Sequence, residues 1–476
     1  MTLALPTLRL AYRRLFGGTS TARTRAVRAL AVVCAACIME ALAISEAQRQ
    51  TTANEALSAF VPPAVAIVVY LAGGSIVLLS LSARDASGST RRALAALPVS
   101  RTGAVLLEWL PVMATGLILL GLAVAPAGTA LLAARYPLHS AASLIVTSLA
   151  AGAATAGLIV SGVSVALRES AWAAVRYPLS MLAWAAAVTT AIWRSLAAAE
   201  TGGSPAGDIV LLLPRLVRYA GEGVPLPAWA VTAAVLGALL VIGLLVPWSI
   251  GGRIVDRRRL IRFPWKGGRK SPLAVGELVY STRNTTLLAN AVAAEVLVIG
   301  LCLLLSFVPS PFRIPLLSPT LVVAACLAGS VVRQHRSLFP VVRPPQQLID
   351  LECMPWTVRQ CAISLLWFMV LYVPPAFAAL SAGIAPGTVW RSWALAGAAS
   401  FSVSVIIGWV VPFPLDNAPG QLITSLATVS ASGALAAFAI DLSVSSRLLA
   451  LVLCSCSVLA SAGVAIVAEQ RRWKEG

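Results

Sequence analysis

Three acidic residues stand inside long apolar runs, and these side chains have the most capacity for chemistry. Glu40, Glu108 and Glu295 interrupt stretches dominated by Ala, Val, Leu and Ile. A charged carboxyl at the centre of a membrane-spanning helix costs on the order of 2.5–3.5 kcal/mol by insertion scales. Glu295 is the deepest in its run. It either lines a translocation path, binding a proton or a cationic substrate, or fixes helix packing as a protonated or Arg-paired group. Glu40 is the second candidate for such a path, although Glu40 and Glu108 lie nearer the ends of their runs, where an interfacial position suits them. The two histidines, His139 and His335, are far apart and the acids are thinly spread, so a metal centre with its three or four converging ligands is not expected. Cys34 and Cys37 form a C-x-x-C within an apolar helix, without the βαβ context of a redox pair. Seven of the eight cysteines lie in or beside apolar runs, where small buried thiols are common. The string Gly267-Gly268-Arg269-Lys270-Ser271 has Arg before the Lys and lacks the first Gly of a phosphate-cradling P-loop. No nucleotide or other cofactor site is therefore expected in this chain.

The elements that hold these residues follow from composition. Of 476 residues, 59% are apolar and 11% charged, whereas soluble domains carry roughly a quarter charged residues. So few charges do not cover a water-facing surface, but lipid tolerates an apolar exterior. A bilayer core about 30 Å thick needs roughly 20 apolar residues per helix. Such runs lie near 26–45, 58–82, 103–134, 140–166, 175–197 and 227–250, and again near 286–308, 315–332, 361–381, 391–413, 420–440 and 448–468. The expected fold is an all-α polytopic membrane protein of about twelve spans. Trp109, Trp229, Trp248, Trp356, Trp390 and Trp393 fall near run ends, as in an interfacial aromatic belt. The small residues from Ala150 to Gly157 favour close helix packing.

The net charge of +18 would suit nucleic acid, but its placement argues for a membrane. With the N-terminus in the cytoplasm, about 28 of the 36 Lys and Arg residues fall in inner segments, the positive-inside bias. Arg9, Arg13, Arg14, Arg23, Arg25 and Arg28 precede or open the first run. Arg257, Arg258, Arg259, Arg262, Lys266, Arg269 and Lys270 fill the middle loop, and Arg471, Arg472 and Lys474 the tail. Anionic lipid headgroups are the expected counter-charge. Both termini are expected in the cytoplasm of a bacterial cell, with the chain in its inner membrane and no nucleic acid partner.

The basic stretch 251–272 separates two halves, 1–250 and 273–476, with six runs each. Leu10-Ala11-Tyr12-Arg13-Arg14 opens the first and Leu278-Val279-Tyr280-Ser281-Thr282-Arg283 the second, both patterned as interfacial helices. The links between the second and third runs of each half also correspond. Arg84-Asp85-Ala86-Ser87-Gly88-Ser89-Thr90-Arg91-Arg92 leads through Leu94 and Leu97 to Pro98-Val99-Ser100-Arg101. In the second half, Leu348 to Met354, with Glu352, leads to Pro355-Trp356-Thr357-Val358-Arg359. Two matches at equivalent places indicate a drifted internal repeat, an arrangement common in transporters. A link that is charged on one side and apolar on the other lies flat on the membrane. It would present Asp85, Arg91 and Arg92 to a soluble partner, with Pro98 ending its helix.

The first link, with Asp85, Gly88, Ser89, Leu94, Leu97, Pro98, Val99, Ser100 and Arg101 at the matching positions, resembles that of the permeases of type-2 ABC exporters. Leu211-Leu212-Leu213-Pro214 with Tyr219 and Gly221 is similar to the external hairpin of that family. The resemblance implies a permease in which Asp85, Gly88, Arg91, Arg92, Pro98 and Arg101 couple to a separate P-loop ATPase, present in two copies. That partner would bind the ATP and Mg. By the repeat, Glu352, Pro355 and Arg359 would do the same in the second half. That half departs from the pattern: no acid or Gly occupies the places of Asp85 and Gly88, and the hairpin between its last two runs is short. The other reading is a secondary transporter of the major facilitator type, whose G-x-x-x-D-R-x-G-R-R string Arg84-Asp85 inverts. A membrane-embedded enzyme would need clustered polar groups at one membrane face, and the sequence has no such cluster.

Overall fold

The computed structural model describes residues 61–86, 124–166, 179–190, 285–304, 310–337, 353–410 and 418–475, with isolated positions between Tyr219 and Gly237. These residues form α1 (Val61–Ala86), α2 (Leu138–Ala166), α3 (Thr285–Leu304), α4 (Ser310–Ser337), α5 (Cys353–Ser381), α6 (Pro386–Val410), α7 (Ala418–Ser445) and α8 (Arg447–Glu475). Two further helical segments are Val124–Ala133 and Leu179–Thr190. No strand occurs among the described residues. Ala- and Leu-rich runs favour helix, and in lipid a helix satisfies its backbone groups within one segment. Leu138–Val163, Thr357–Ser381, Pro386–Val410 and Arg447–Gln470 are long and apolar enough to cross a membrane. At about 1.5 Å per residue they reach the roughly 30 Å of a hydrocarbon core.

Each helix overlaps one of the expected runs, but several extend further. Helix α5 starts at Cys353, not near 361, so Pro355 sits in its first turn and does not end a preceding helix. Proline is tolerated there because the first helical N–H groups lack intrahelical partners anyway. Helix α4 continues to Ser337, past the expected end at 332, and α8 continues to Glu475, past 468. The chain divides into two compact units, Met1–Arg257 with Asp416–Gly420, and Arg258–Leu415 with Gln421–Gly476.

In the first unit α1 and α2 pack along each other, Val61, Val65 and Ala66 sharing a cluster with Ala141, Leu144 and Ile145. Above that cluster the two backbones touch. A Cβ on Gly73 would strike the Leu149 carbonyl, and one on Gly152 the Tyr70 carbonyl. The Ala150–Gly157 run therefore provides the close approach its composition predicts. Gly74 leaves room for Trp184, whose ring stacks on Tyr70 with centroids 5.5 Å apart and planes 15° from parallel. Buried Thr147 and Thr155 donate to the carbonyls of Ser143 and Ala151 in their own helix, which satisfies both threonine hydroxyls. Segment Val124–Ala133 closes at Arg135, whose φ of 59° lies in the left-handed region. There the amides of Arg135 and Tyr136 donate to Leu132 and Leu131, a Schellman end before Pro137 and α2.

In the second unit, side-chain contacts between helices fix their directions. Leu317 and Leu321 of α4 meet Val389, which opens α6. Further along, Ser400 Oγ donates to Ala325 O at 2.6 Å, and Gly329 lies against Ser400 and Ser404. Helices α4 and α6 are therefore parallel. Helix α8 runs with them, since Cys454 lies by Leu395, Ser402 by Ser457 at 3.2 Å, and Ala465 by Val405 and Trp409. Helix α5 runs the other way, joined to α6 by a turn at 382–385 in which Gly383 takes φ 78°. Pro374 and Pro375 interrupt α5 and deprive the carbonyls of Val370 and Leu371 of their helical donors. Next to them Trp393 Nε1 donates to Tyr372 O at 2.7 Å, and Tyr372 Oη donates to Trp393 O at 3.0 Å. The two rings stack 5.2 Å apart and 9° from parallel. Gly397 makes the room, because a Cβ there would meet Tyr372 Cε1 at 2.7 Å.

Candidate functional site: a polar end and an interior carboxyl

The directions of these helices bring several polar residues to one end of the second unit. The C-terminal turns of α4, α6 and α8 share that end with the N-terminal turns of α3 and α5. Asn290 Nδ2 of α3 donates to Gln334 Oε1 of α4 at 2.9 Å, and Cys361 of α5 packs with Trp409 and Ala465. This end therefore holds Arg333, Gln334 and His335 from α4, Thr357, Arg359 and Gln360 from α5, Trp409 from α6 and Glu469 from α8. Arg333 and His335 are 1% and 0% exposed, which removes both from water although they lie near a helix end. Thr357, Gln360 and Glu469 are buried and Arg359 is half-buried. Asn290, Arg333, His335, Thr357, Arg359, Gln360, Trp409 and Glu469 all take part in hydrogen-bonding, ionic or ring interactions. Buried charges persist only when paired or hydrogen-bonded, so this layer consists of engaged polar groups rather than an open cationic face. Among the described residues no three His, Cys, Asp or Glu side chains converge to hold a metal ion.

The residues expected to contact a partner are placed unevenly. Asp85 lies in the last turn of α1, Pro355 in the first turn of α5, and Arg359 one turn beyond Pro355. Glu40, Gly88, Arg91, Arg92, Pro98, Arg101 and Glu352 lie outside the described residues. Arg359 belongs to the engaged layer and is not a fully solvated surface cation. The sequence reading ends the eighth run at 332 and so misses the burial of Arg333. The signal was the string Arg333-Gln334-His335-Arg336, a polar block attached to an apolar helix with no proline or glycine to stop it.

Glu295 occupies a different setting. It is the only charged residue of α3, half-buried, with Oε1 shielded and no hydrogen-bond partner among the described residues. The Arg-paired alternative thus finds no partner among those residues. No protein family matches the chain, and no curated protein or solved structure does either.

Proposed function

We propose that this chain is the membrane-spanning permease subunit of an ABC exporter. About twelve spans in two six-helix halves form its pathway. A separate P-loop ATPase, in two copies, binds ATP and Mg and drives it. Both termini face the cytoplasm of a bacterial cell. The observation that carries this reading is the string from Asp85 to Arg101, with Gly88, Arg91, Arg92 and Pro98 between, directly after a long apolar helix. Asp85 stands at the end of α1, where a helix leaving the membrane would present it to a soluble partner. In the second half, Glu352, Pro355 and Arg359 occupy the corresponding place before and within the start of α5.

Two structural parallels support the internal repeat. The 134–137 turn and the 382–385 turn each join the expected third and fourth runs of a half. Each places a left-handed residue after a helix and a proline at the start of the next. The pairs α1–α2 and α4–α6 are likewise the expected second and fourth runs of the two halves, and both make intimate contacts at glycine. The reading is tested by co-purifying the chain with a P-loop ATPase and repeating with Asp85→Ala and Arg91→Ala. We expect each change to weaken the complex by about tenfold in Kd, equal to about 1.4 kcal/mol, and to lower stimulated ATP hydrolysis. Unchanged affinity and hydrolysis in both variants would remove the coupling role. One observation favours a second reading, an ion-driven secondary transporter of the major facilitator type: the interior carboxyl of Glu295.

A further inference from the structure

The core-facing stripe of α3 runs through Leu287, Ala291, Val298 and Cys302, all buried in one apolar cluster with side chains of α4 and α5. Glu295 lies four residues after Ala291 and three before Val298, and helical periodicity puts it on the same face. On its other side Val292 and Val296 are exposed. The carboxyl therefore stands at the rim of the apolar cluster, with one oxygen shielded and the approach flanked by valines. An ionisable group inside an apolar helix is a functional-site candidate by default.

Among the described residues, the groups on the helices packed against α3 give this carboxyl no counter-charge. Helix α4 offers Arg333 and His335 at the polar end, in the layer that the Asn290–Gln334 hydrogen bond marks. Glu295 is five residues further along α3, about 7.5 Å deeper at the helical rise. At its opposite end α4 has Arg313, whose Nη1 donates to Ala382 O. Between these lies Cys326, whose thiol points at Val429 O. Helix α5 offers Arg359 and Cys361 at the polar end and Tyr372, whose hydroxyl is committed to Trp393. With no cation beside it among the described residues, an anionic carboxylate here has room for a bound cation, and without one it favours its protonated form.

The surroundings select the cation. Hard metal ions demand several oxygen ligands, six or more for calcium, and the stripe beside Glu295 offers Ala, Val, Leu and Cys. The exposed side chains flanking Glu295, Val292 and Val296, are apolar, which suits the hydrocarbon part of an organic cation. We propose that Glu295 is the binding site for a lipophilic monovalent organic cation, which exchanges with a proton on its carboxyl. In the exchange the carboxyl O–H bond breaks, the proton leaves to water, and the carboxylate forms an ion pair with the cation. No electrons move. As a statement about cargo this rests on the transport reading above; as a statement about binding it does not.

The test uses the full chain in lipid nanodiscs, without ATPase, and tetraphenylphosphonium as probe. We expect saturable binding above the linear uptake of empty nanodiscs, with release of about one proton per cation. Affinity should fall as pH is lowered, by up to about tenfold per pH unit once the carboxyl is mostly protonated. Glu295→Gln should lower affinity at least tenfold while thermal stability and elution profile stay unchanged, and Glu295→Asp should retain part of the binding. If the Gln variant does not fold, protection of wild-type Glu295 from dicyclohexylcarbodiimide by the probe, read by peptide mass, replaces it. Equal binding by the folded Gln variant, uptake no different from empty nanodiscs, binding without proton release, or no protection would each overturn the proposal. Failure here with an ATPase still co-purifying leaves the permease reading standing. Binding without any ATPase partner retains the site and shifts the function to the ion-driven reading.

Discussion

The α1–α2 crossing of the first unit and the α4–α6 crossing of the second bring helices together by different means. At α1–α2 the glycines face main chain: Gly73 lies on the Leu149 carbonyl and Gly152 on the Tyr70 carbonyl. At α4–α6 one glycine, Gly329, faces the hydroxyls of Ser400 and Ser404, and Ser400 bonds across to Ala325 O. Backbone does not yield, whereas a serine rotates. The first crossing is thus set by steric contact, and the second by a hydrogen bond with steric slack. In lipid, where no water competes and the hydrophobic effect does not drive helices together, both are workable sources of association.

The difference can be broken most directly at Gly152. Gly152→Ala forces α1 and α2 apart and should cost about 1–3 kcal/mol, the range for overpacking, read as a loss of thermal stability in nanodiscs. Gly329→Ala should cost less, and Ser400→Ala with Ser404→Ala should relieve part of it, giving a coupling of about 0.5–3 kcal/mol in a mutant cycle. Equal costs at Gly152 and Gly329, with no relief from the serine changes, would abolish the distinction.

The α5–α6 contact sharpens the same contrast with a smaller effect. Trp393→Phe keeps the stacked ring but removes the donor to Tyr372 O beside the two prolines. It should cost about 1 kcal/mol, as for a lost hydrogen bond, and leave Tyr372→Phe without a further equal penalty if the two bonds act as a unit. Proteolysis at the 382–385 turn would report the loosened contact.

The two turns give the smallest expected change. Arg135 and Gly383 take the same left-handed role with and without a Cβ. An L side chain there costs roughly 1–2 kcal/mol, while glycine gives back about 0.5–1 kcal/mol of chain entropy. Arg135→Gly should therefore stabilise by about 0.5 kcal/mol, and Gly383→Ala should destabilise by a similar amount. Opposite shifts in thermal midpoint are the expected outcome. Shifts of the same sign would show that the two turns are not equivalent.

Much of this arrangement was legible in the sequence. Where residues are described, the apolar runs fall on helices, because helix is a local solution to backbone satisfaction in lipid. The small run Ala150–Gly157 announced close packing. Arg135 gave no comparable sign, since nothing in its residue type predicts a left-handed backbone. The layer around Arg333 was hidden because the helix continues through polar residues that a hydropathy run stops at. Of the expected coupling residues, Asp85, Pro355 and Arg359 could be placed on helices, and placement changed the meaning of one. Arg359 joins an engaged layer, whereas its sequence neighbourhood reads as a surface link.

The sequence by itself determined the helical class, the approximate positions of the described apolar helices and the presence of a carboxyl within one of them. Each of these depends on residues within one segment and on the thickness of a bilayer. Only the tertiary structure decided which glycine meets backbone and which meets a hydroxyl, why Arg333 is buried, and that Glu295 has no partner among the described residues. Those outcomes depend on neighbours tens of residues away in sequence, brought close by helix direction and crossing, which no local pattern encodes.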